Sequence, residues 1–298
     1  MSQLDNTAIS KVLGQRVSAP EQYDKSILVR EPRQNNRTYL GIEDNNLPFV
    51  GTDVWNNWEI SALTNNGLPA TGIAKIVYNC NSKYIVESKS AKLYFNSFNM
   101  SKFGDTPDEV LNNIASTAAA DLSEFLETDV KVHVRKSNTY CAPWRENTKK
   151  CVLLDYLVPN LTITDYNENP DLLTSGGTLD KPVVQHFYSH LLRSNCRVTN
   201  QPDAGDVHIQ IKSKHIVDPV SLLKYIISFR NENHFHEEIC EAIYKRLYDK
   251  FEPKDLLVEC FYVRRGSLDI NPARATSENL LSKDFTIDSE TYIKTTRQ

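Results

Sequence analysis

The chain has no Cys-x-x-Cys pair, although it carries six cysteines, Cys80, Cys141, Cys151, Cys196, Cys240 and Cys260. Their scattered spacing fits neither a zinc site nor a disulfide framework. In a reducing compartment most are expected as small buried hydrophobes, with one as a candidate nucleophile. There is no Gly-x-Gly-x-x-Gly, so a Rossmann dinucleotide fold is unsupported. No apolar run approaches the ~20 residues that span a bilayer. The first residues are polar and lack a positive-then-apolar signal pattern, so a cytoplasmic protein is expected. Basic residues form no block and the net charge is −4. That argues against a dedicated nucleic-acid binder, whose phosphate contacts need clustered Lys and Arg.

What is present is ordinary for a soluble globular chain: 298 residues, 40% hydrophobic and 24% charged. This is enough for one large domain or two of usual size. Residues 1 to about 60 are rich in Asn, Asp and Gln and predict an irregular lead-in with a short helix at 10–13. A hairpin is predicted from 73–78 and 84–86 across Asn79-Cys80-Asn81-Ser82. A helix follows: Thr106 is the N-cap, Pro107 the first helical residue, and Asp108 and Glu109 fill the acidic first turn. Val110, Leu111, Ile114, Ala118, Leu122, Phe125 and Leu126 share its apolar face. Val130, Val132 and Val134 alternate as a strand, and 152–154 reads as another.

The second half repeats this grammar. Strands at 197–200 and 207–211 are expected across a Pro202-Asp203-Ala204-Gly205 turn. Helices follow at 219–229 and 236–251, and a closing strand at 256–263. Two similar α+β modules in tandem is the reading, 1–165 and 166–298, with 165–181 as the linker. Only the order of elements supports the duplication. His186 and His190 lie four apart, but no glutamate sits between them in a metalloprotease arrangement. The segment 183–192 reads as an amphipathic helix with a structural role.

The densest chemistry lies in Glu87-Ser88-Lys89-Ser90-Ala91-Lys92-Leu93-Tyr94. Packing alone seldom needs an acid, two lysines and hydroxyls so close together. The segment resembles the signature of the NADPH-dependent nitrile reductases of queuosine biosynthesis, which convert 7-cyano-7-deazaguanine to 7-aminomethyl-7-deazaguanine. Three further segments resemble that family. Cys196-Arg197-Val198-Thr199-Asn200-Gln201-Pro202-Asp203 matches its Cys-x-Val-Thr-x-Gln-Pro-Asp, and Phe235-His236-Glu237 its His-Glu pair. The segment from Arg264-Arg265-Gly266 matches its C-terminal pattern. Departures are Ala204 and Ala273, where tryptophan is usual, and Ser267, where glycine is expected.

The resemblance implies a tunnelling fold, antiparallel sheets with helices on one face, and a homodimer acting on a small deazapurine, with no direct nucleic-acid contact. It implies Cys196 as nucleophile and Asp203 as proton donor. A thiolate adding to the nitrile carbon makes a thioimide, and the nitrogen must gain a proton as it does so. Arg197 would favour the thiolate, but as an adjacent strand residue it should face the other way. His236 could shuttle protons and touch the substrate. Glu237 could accept the paired N–H donors of a guanine-like base, with Val86, Glu87 and Ser88 against the same base. Ser88, Lys89, Arg265 and Gly266 would hold NADPH, lysines serving as point charges for phosphate and glycine allowing close backbone approach. Without the resemblance, Cys196 reads as an idle thiol, Glu237 as a helix-start acid and the lysines as a solvated face. Two other functions compete: a tunnelling-fold purine or pterin cyclohydrolase, which needs zinc ligands, and a non-catalytic deazapurine binder, which needs Glu237 but not both Cys196 and Asp203.

Overall fold

The structure, a computed structural model, describes residues 20, 22–136, 151–155, 157, 161–198, 200–286 and 298. The helix expected at 10–13, Cys141 and Thr199 lie outside them. The first half contains β1 (Arg30–Pro32), α1 (Gln34–Tyr39), β2 (Val50–Leu63), β3 (Pro69–Asn79), β4 (Tyr84–Val86), α2 (Ser88–Ser97), α3 (Pro107–Leu126) and β5 (Val130–Lys136). There follow β6 (Val152–Leu153), β7 (Ser175–Cys196), β8 (Pro202–Val217), α4 (Pro219–Ser228), β9 (Asn233–His234), α5 (His236–Phe251), β10 (Asp255–Tyr262) and β11 (Leu268–Ala275). The fold is α+β. One sheet runs β5-β3-β2-β11-β10-β8-β7-β6, with β9 added beside β7. Its pairs are antiparallel except β6 and β9 against β7.

The helices cover one face. α3 packs on β3 and β5, and α5 on β10, β11 and β8. Trp55, Ile76, Tyr78 and Ile270 point into the core under α2 and α3, while Val207, Ile209, Val258 and Cys260 point into the core under α4 and α5. The strand period of two leaves Val54, Val77, Phe261, Ala273 and Phe285 in a smaller cluster on the other face. Local signals set the helix ends. Thr106 accepts from the Glu109 amide, and the Glu109 carboxylate accepts from the Thr106 amide. Asp218 caps α4 through the amides of Val220 and Ser221. Among the described residues no helix is long and apolar enough to cross a membrane.

Several expected elements differ. The 1–60 stretch is not all lead-in, because β2 is a 14-residue central strand. Its alternation is disguised by Asp53, Asn56 and Asn57, all buried, with partners elsewhere in the chain for Asp53 and Asn56. β3 and β4 do not form a hairpin: β3 pairs with β2 and β5, and β4 with β1. Residues 183–192 are strand, not helix, laddered to β8 from Val183↔Ser213 to Leu192↔Gly205. Phe187 faces the core and ring-paired Tyr188 and His190 meet Asp206 instead. Residues 165–181 are not a plain linker, since the chain enters β7 at Ser175. The chain reverses over 197–201, not 202–205: Pro202 and Asp203 lie in β8 opposite Asn195 and Ser194. Asn200 takes φ 53° in that turn, a left-handed conformation that asparagine tolerates. Finally β10 does not close the fold. β11 follows and joins the two halves by pairing with both β10 and β2.

Candidate functional site

Cys196 ends β7 where the chain turns. Its amide donates to the Gln201 carbonyl at 2.8 Å, and its carbonyl accepts from the Asn200 amide at 3.0 Å. Asp203 enters β8 across that turn and is buried. One carboxylate oxygen meets Arg265 Nη1 at 2.6 Å, and the other lies 3.4 Å from His236 Nε2. His236 is the first residue of α5 and stacks on Tyr262, with ring centroids 3.9 Å apart. Arg197, beside the thiol in sequence, is held by Glu238 at 2.6 Å.

Glu237 follows in the first turn of α5 and is 1% exposed. Burial pushes its carboxyl up, with Asp53 adding to the effect while Arg33 and His236 oppose it, and the result is about 7. Tyr78 donates its hydroxyl to Glu237 Oε1 at 3.5 Å. His234 lies against Glu238 at 3.1 Å and Glu232 at 3.4 Å. Burial opposes its charge, but the hydrogen bonds and charges of both glutamates outweigh burial and raise it to about 9. Its backbone pairs with Cys196, so a cationic imidazole is strung beside the thiol-bearing strand end.

These residues line one cavity. Cys196, Asp203, His234, Phe235, His236, Glu237 and Ile270 come from the second half, and Trp55, Val86 and Ser88 from the first. The free space among them is about 10 Å³, room for a single water. Sequence reading missed Trp55, hidden in β2, and Ile270, hidden in β11. Phe235 and His234 were visible beside the His-Glu pair but carried no distinguishing signal. Among the described residues no group of three or more His, Cys, Asp or Glu side chains is placed to hold a metal ion.

Glu87 stands behind the wall. It caps α2, accepting the Lys89 amide at 2.9 Å on one oxygen and the Ser90 amide at 2.7 Å on the other. Burial raises its carboxyl despite these bonds. Val86 and Ser88, its neighbours, face the cavity. Lys89 is exposed. Lys92, one turn along, lies over Gly266, whose φ is 60°. A Cβ at Gly266 would meet only the Lys92 side-chain end, which can swing aside, so it is the left-handed backbone that favours glycine there. Arg264 covers the Trp58 ring at 4.3 Å. Ala273, in place of the expected tryptophan, packs among Val54, Val77, Phe261 and Phe285.

Comparison with known proteins identifies the family. A family model described as nitrile reductase, 7-cyano-7-deazaguanine-reductase N-term, matches residues 19–134. A second, described as QueF-like protein, matches residues 202–280. The NADPH-dependent 7-cyano-7-deazaguanine reductase of Legionella pneumophila (strain Paris) is 39% identical over 271 residues, 91% of either chain. The enzyme of that name from Colwellia psychrerythraea is 37% identical over 275 residues, 91% of this chain and 93% of its own. A solved structure, the archaeosine synthase QueF-Like in the apo form, aligns with 33% of this chain and 95% of its own at 15% identity and a TM-score of 0.29, a likeness too slight to argue from. With over a third of positions shared along nine-tenths of its length, the chain belongs to the family of NADPH-dependent 7-cyano-7-deazaguanine reductases.

Proposed function

We propose that this protein reduces the nitrile of 7-cyano-7-deazaguanine to the aminomethyl group through a covalent thioimide on Cys196. The observation that carries this is the meeting of Cys196, Asp203, His236 and Glu237 at one cavity. The Cys196 sulfur adds to the nitrile carbon. Asp203 takes the thiol proton and returns it to the nitrile nitrogen, so the adduct has the mass of the whole substrate. His236, 3.4 Å from Asp203, relays the protons that the later steps consume, and Arg265 fixes the carboxylate at 2.6 Å. Glu237 accepts the N1–H and exocyclic amine of the base. Val86 and Ser88 bound the base, and Glu87 fixes that wall by capping α2.

The residues present fit the cofactor. Gly266, in a left-handed conformation, brings bare backbone beside the Lys92 side chain, and Ser88, Lys89 and Arg265 are the polar and cationic groups that would meet the cofactor, the cations serving its phosphates. NADPH, when bound, would supply one hydride, so the two hydrides that a nitrile-to-amine reduction needs come from two NADPH molecules in turn. The working unit is a cytoplasmic homodimer of two-module chains, 1–165 and 166–298, with the site at the module junction. Contributions to the cavity from both halves support that reading. A cyclohydrolase is disfavoured because relatives 37–39% identical to this chain carry the reductase name.

The test needs no cofactor. Protein mixed with 7-cyano-7-deazaguanine alone should gain the full substrate mass by intact-mass analysis, and Cys196→Ala should gain none. An unmodified wild-type protein would refute the covalent route.

A further inference from the structure

The cation next to the thiol in sequence, Arg197, is not a wall of the cavity, and Glu238 holds it at 2.6 Å. The cation that lines the cavity together with Cys196 is His234. Its charge follows from geometry. Nδ1 lies 3.1 Å from Glu238 Oε2, and Nε2 lies 3.4 Å from Glu232 Oε2. Ionised carboxylate oxygens only accept hydrogen bonds, so both ring nitrogens carry protons and the ring is an imidazolium. A titration raised to about 9 agrees with this. Arg197, Glu238, His234 and Glu232 thus alternate in sign along one chain of contacts.

These side chains come from three stretches of backbone. Arg197 opens the turn after Cys196, Glu232 and His234 belong to the segment of β9, and Glu238 lies in the first turn of α5. The main chain is tied at the same place, but briefly. The β7–β9 ladder has two rungs, Asn195↔Asn233 and Cys196↔His234, and the Asn195 amide donates to the Glu232 carbonyl at 2.7 Å. Glu238 Oε2 also accepts the Phe235 amide at 3.0 Å, which closes the start of α5. Glu232 Oε1 accepts the Glu168 amide at 2.9 Å, which holds the approach to β7. Two rungs are a short anchor for a nucleophile, where a shift of about 1 Å can cost about a hundredfold in rate. The alternating charges supply the remaining constraint.

We propose that His234 is a positioning residue: shared as a cation between Glu232 and Glu238, it fixes the end of β7, and with it the Cys196 sulfur, against the His236 and Glu237 that open α5. It acts through the strand end and not on the nitrile, since both its nitrogens are engaged. Loss of its proton breaks the bridge and leaves Glu232 and the 2% exposed Glu238 with Arg197 as their cation, a surplus negative charge beside the thiol. The other ionisable groups around the ring are Cys196 on β7, Asp203 on β8, and His236 and Glu237 on α5, all walls of the same cavity. The inference rests on Cys196 being the bond-making residue.

The experiment is the pH profile of kcat for NADPH-dependent nitrile reduction by the full chain, in wild type, His234→Gln and His234→Arg. Wild-type kcat should fall as pH rises through about 9, where the imidazolium is lost. Glutamine offers one nitrogen to two carboxylates, so His234→Gln should run about tenfold or more below wild type and lack that fall. Arginine keeps a forked donor and its charge at every pH, so His234→Arg should recover most of the rate and hold it above the pH at which wild type declines. A histidine that only stabilised the fold would lower the thermal midpoint without linking the alkaline decline to the charge at this position. The inference is overturned if folded His234→Gln keeps the wild-type kcat and profile, or if His234→Arg declines at the same pH as wild type. The second comparison stands even where the glutamine variant does not fold. The Cys196 reading fails separately, through an unmodified wild type in the mass experiment, whatever the profile shows.

Discussion

Glu237 concentrates the physics of the site in one side chain. A carboxylate sealed from water is costly, and burial lifts its titration to about 7 from an ordinary value of 4.5. A raised carboxyl means the folded protein holds a proton that the unfolded chain has released. Stability from this group is therefore full below about pH 4.5 and is lost as pH rises through 7. Glu237→Gln removes the effect. Its unfolding free energy should match wild type at pH 4 and exceed it at pH 8, by about 3 kcal/mol at most, measured by urea denaturation. Substrate shows the opposite trend. Only the ionised form accepts both N–H donors of the base, so the wild-type Kd for 7-cyano-7-deazaguanine should fall as pH rises from 6 to 8. In the glutamine variant binding should be weak and flat with pH. A wild-type Kd that does not change across this range would remove Glu237 from the role of base reader.

At the scale of elements, the entrance to α2 joins stability to function. Glu87 gives each oxygen to one amide of the first turn, as aspartate or serine commonly does at this position. The cap sets where Ser88 begins to turn and hence which face of α2 presents Ser88 to the Cys196 cavity. Glu87→Ala should lower stability by about 1–2 kcal/mol and speed hydrogen exchange at the Lys89 and Ser90 amides while leaving α3 unchanged. If those amides stay protected, the cap is not what fixes this wall. The start of α5 is tied in a different way. His234, Glu238 and Arg197 form a chain of charges at 3.1 and 2.6 Å, so the helix bearing His236 and Glu237 is pinned to the strand end bearing Cys196.

For the whole molecule, the halves are fastened by buried ions. Asp53 on β2 meets Arg33 at 2.5 Å and Arg274 on β11 at 2.8 Å. Glu241 on α5 meets Arg274 at 2.9 Å and Arg37 at 2.8 Å. The Arg33, Arg37, Arg274, Asp53 and Glu241 side chains are all at most 3% exposed. Burial works against every one of these charges, and the partners across the network hold Asp53 and Glu241 ionised nonetheless. A network of this kind is sensitive to losing one member, because the rest stay buried and uncompensated. Arg274→Met should cost about 3–5 kcal/mol, read as a lowered urea midpoint. A loss below about 1 kcal/mol would show that water or a shifted side chain takes the place of the guanidinium. The same network supplies the Asp53 and Arg33 charges felt by Glu237, so global stability and the base reading proposed for Glu237 share a source.

What was legible in the sequence was local. α3, α4 and α5 announce themselves through proline, capping side chains and a period of 3.6, all set by residues within a few positions of one another. Cys196 to Asp203 and Phe235 to Glu237 are likewise contiguous segments whose chemistry can be read in place. The strands β2 and β11 could not be read this way. Their buried Asp53, Asn56, Asp269 and Arg274 break the apolar alternation, and the groups that satisfy Asp53, Asn56 and Arg274 lie from 20 to more than 200 residues away. The helix suggested by His186 and His190 failed for a related reason: pairing with β8 decided the conformation of 183–192, and pairing is not a local property. The sequence by itself determined α3, α4 and α5 and the family. Only the tertiary structure decided that one cavity is built from both halves and that Glu87 caps a helix behind it. Those depend on which distant strands share a ladder, and a ladder is fixed by the net free energy of burying both partners together.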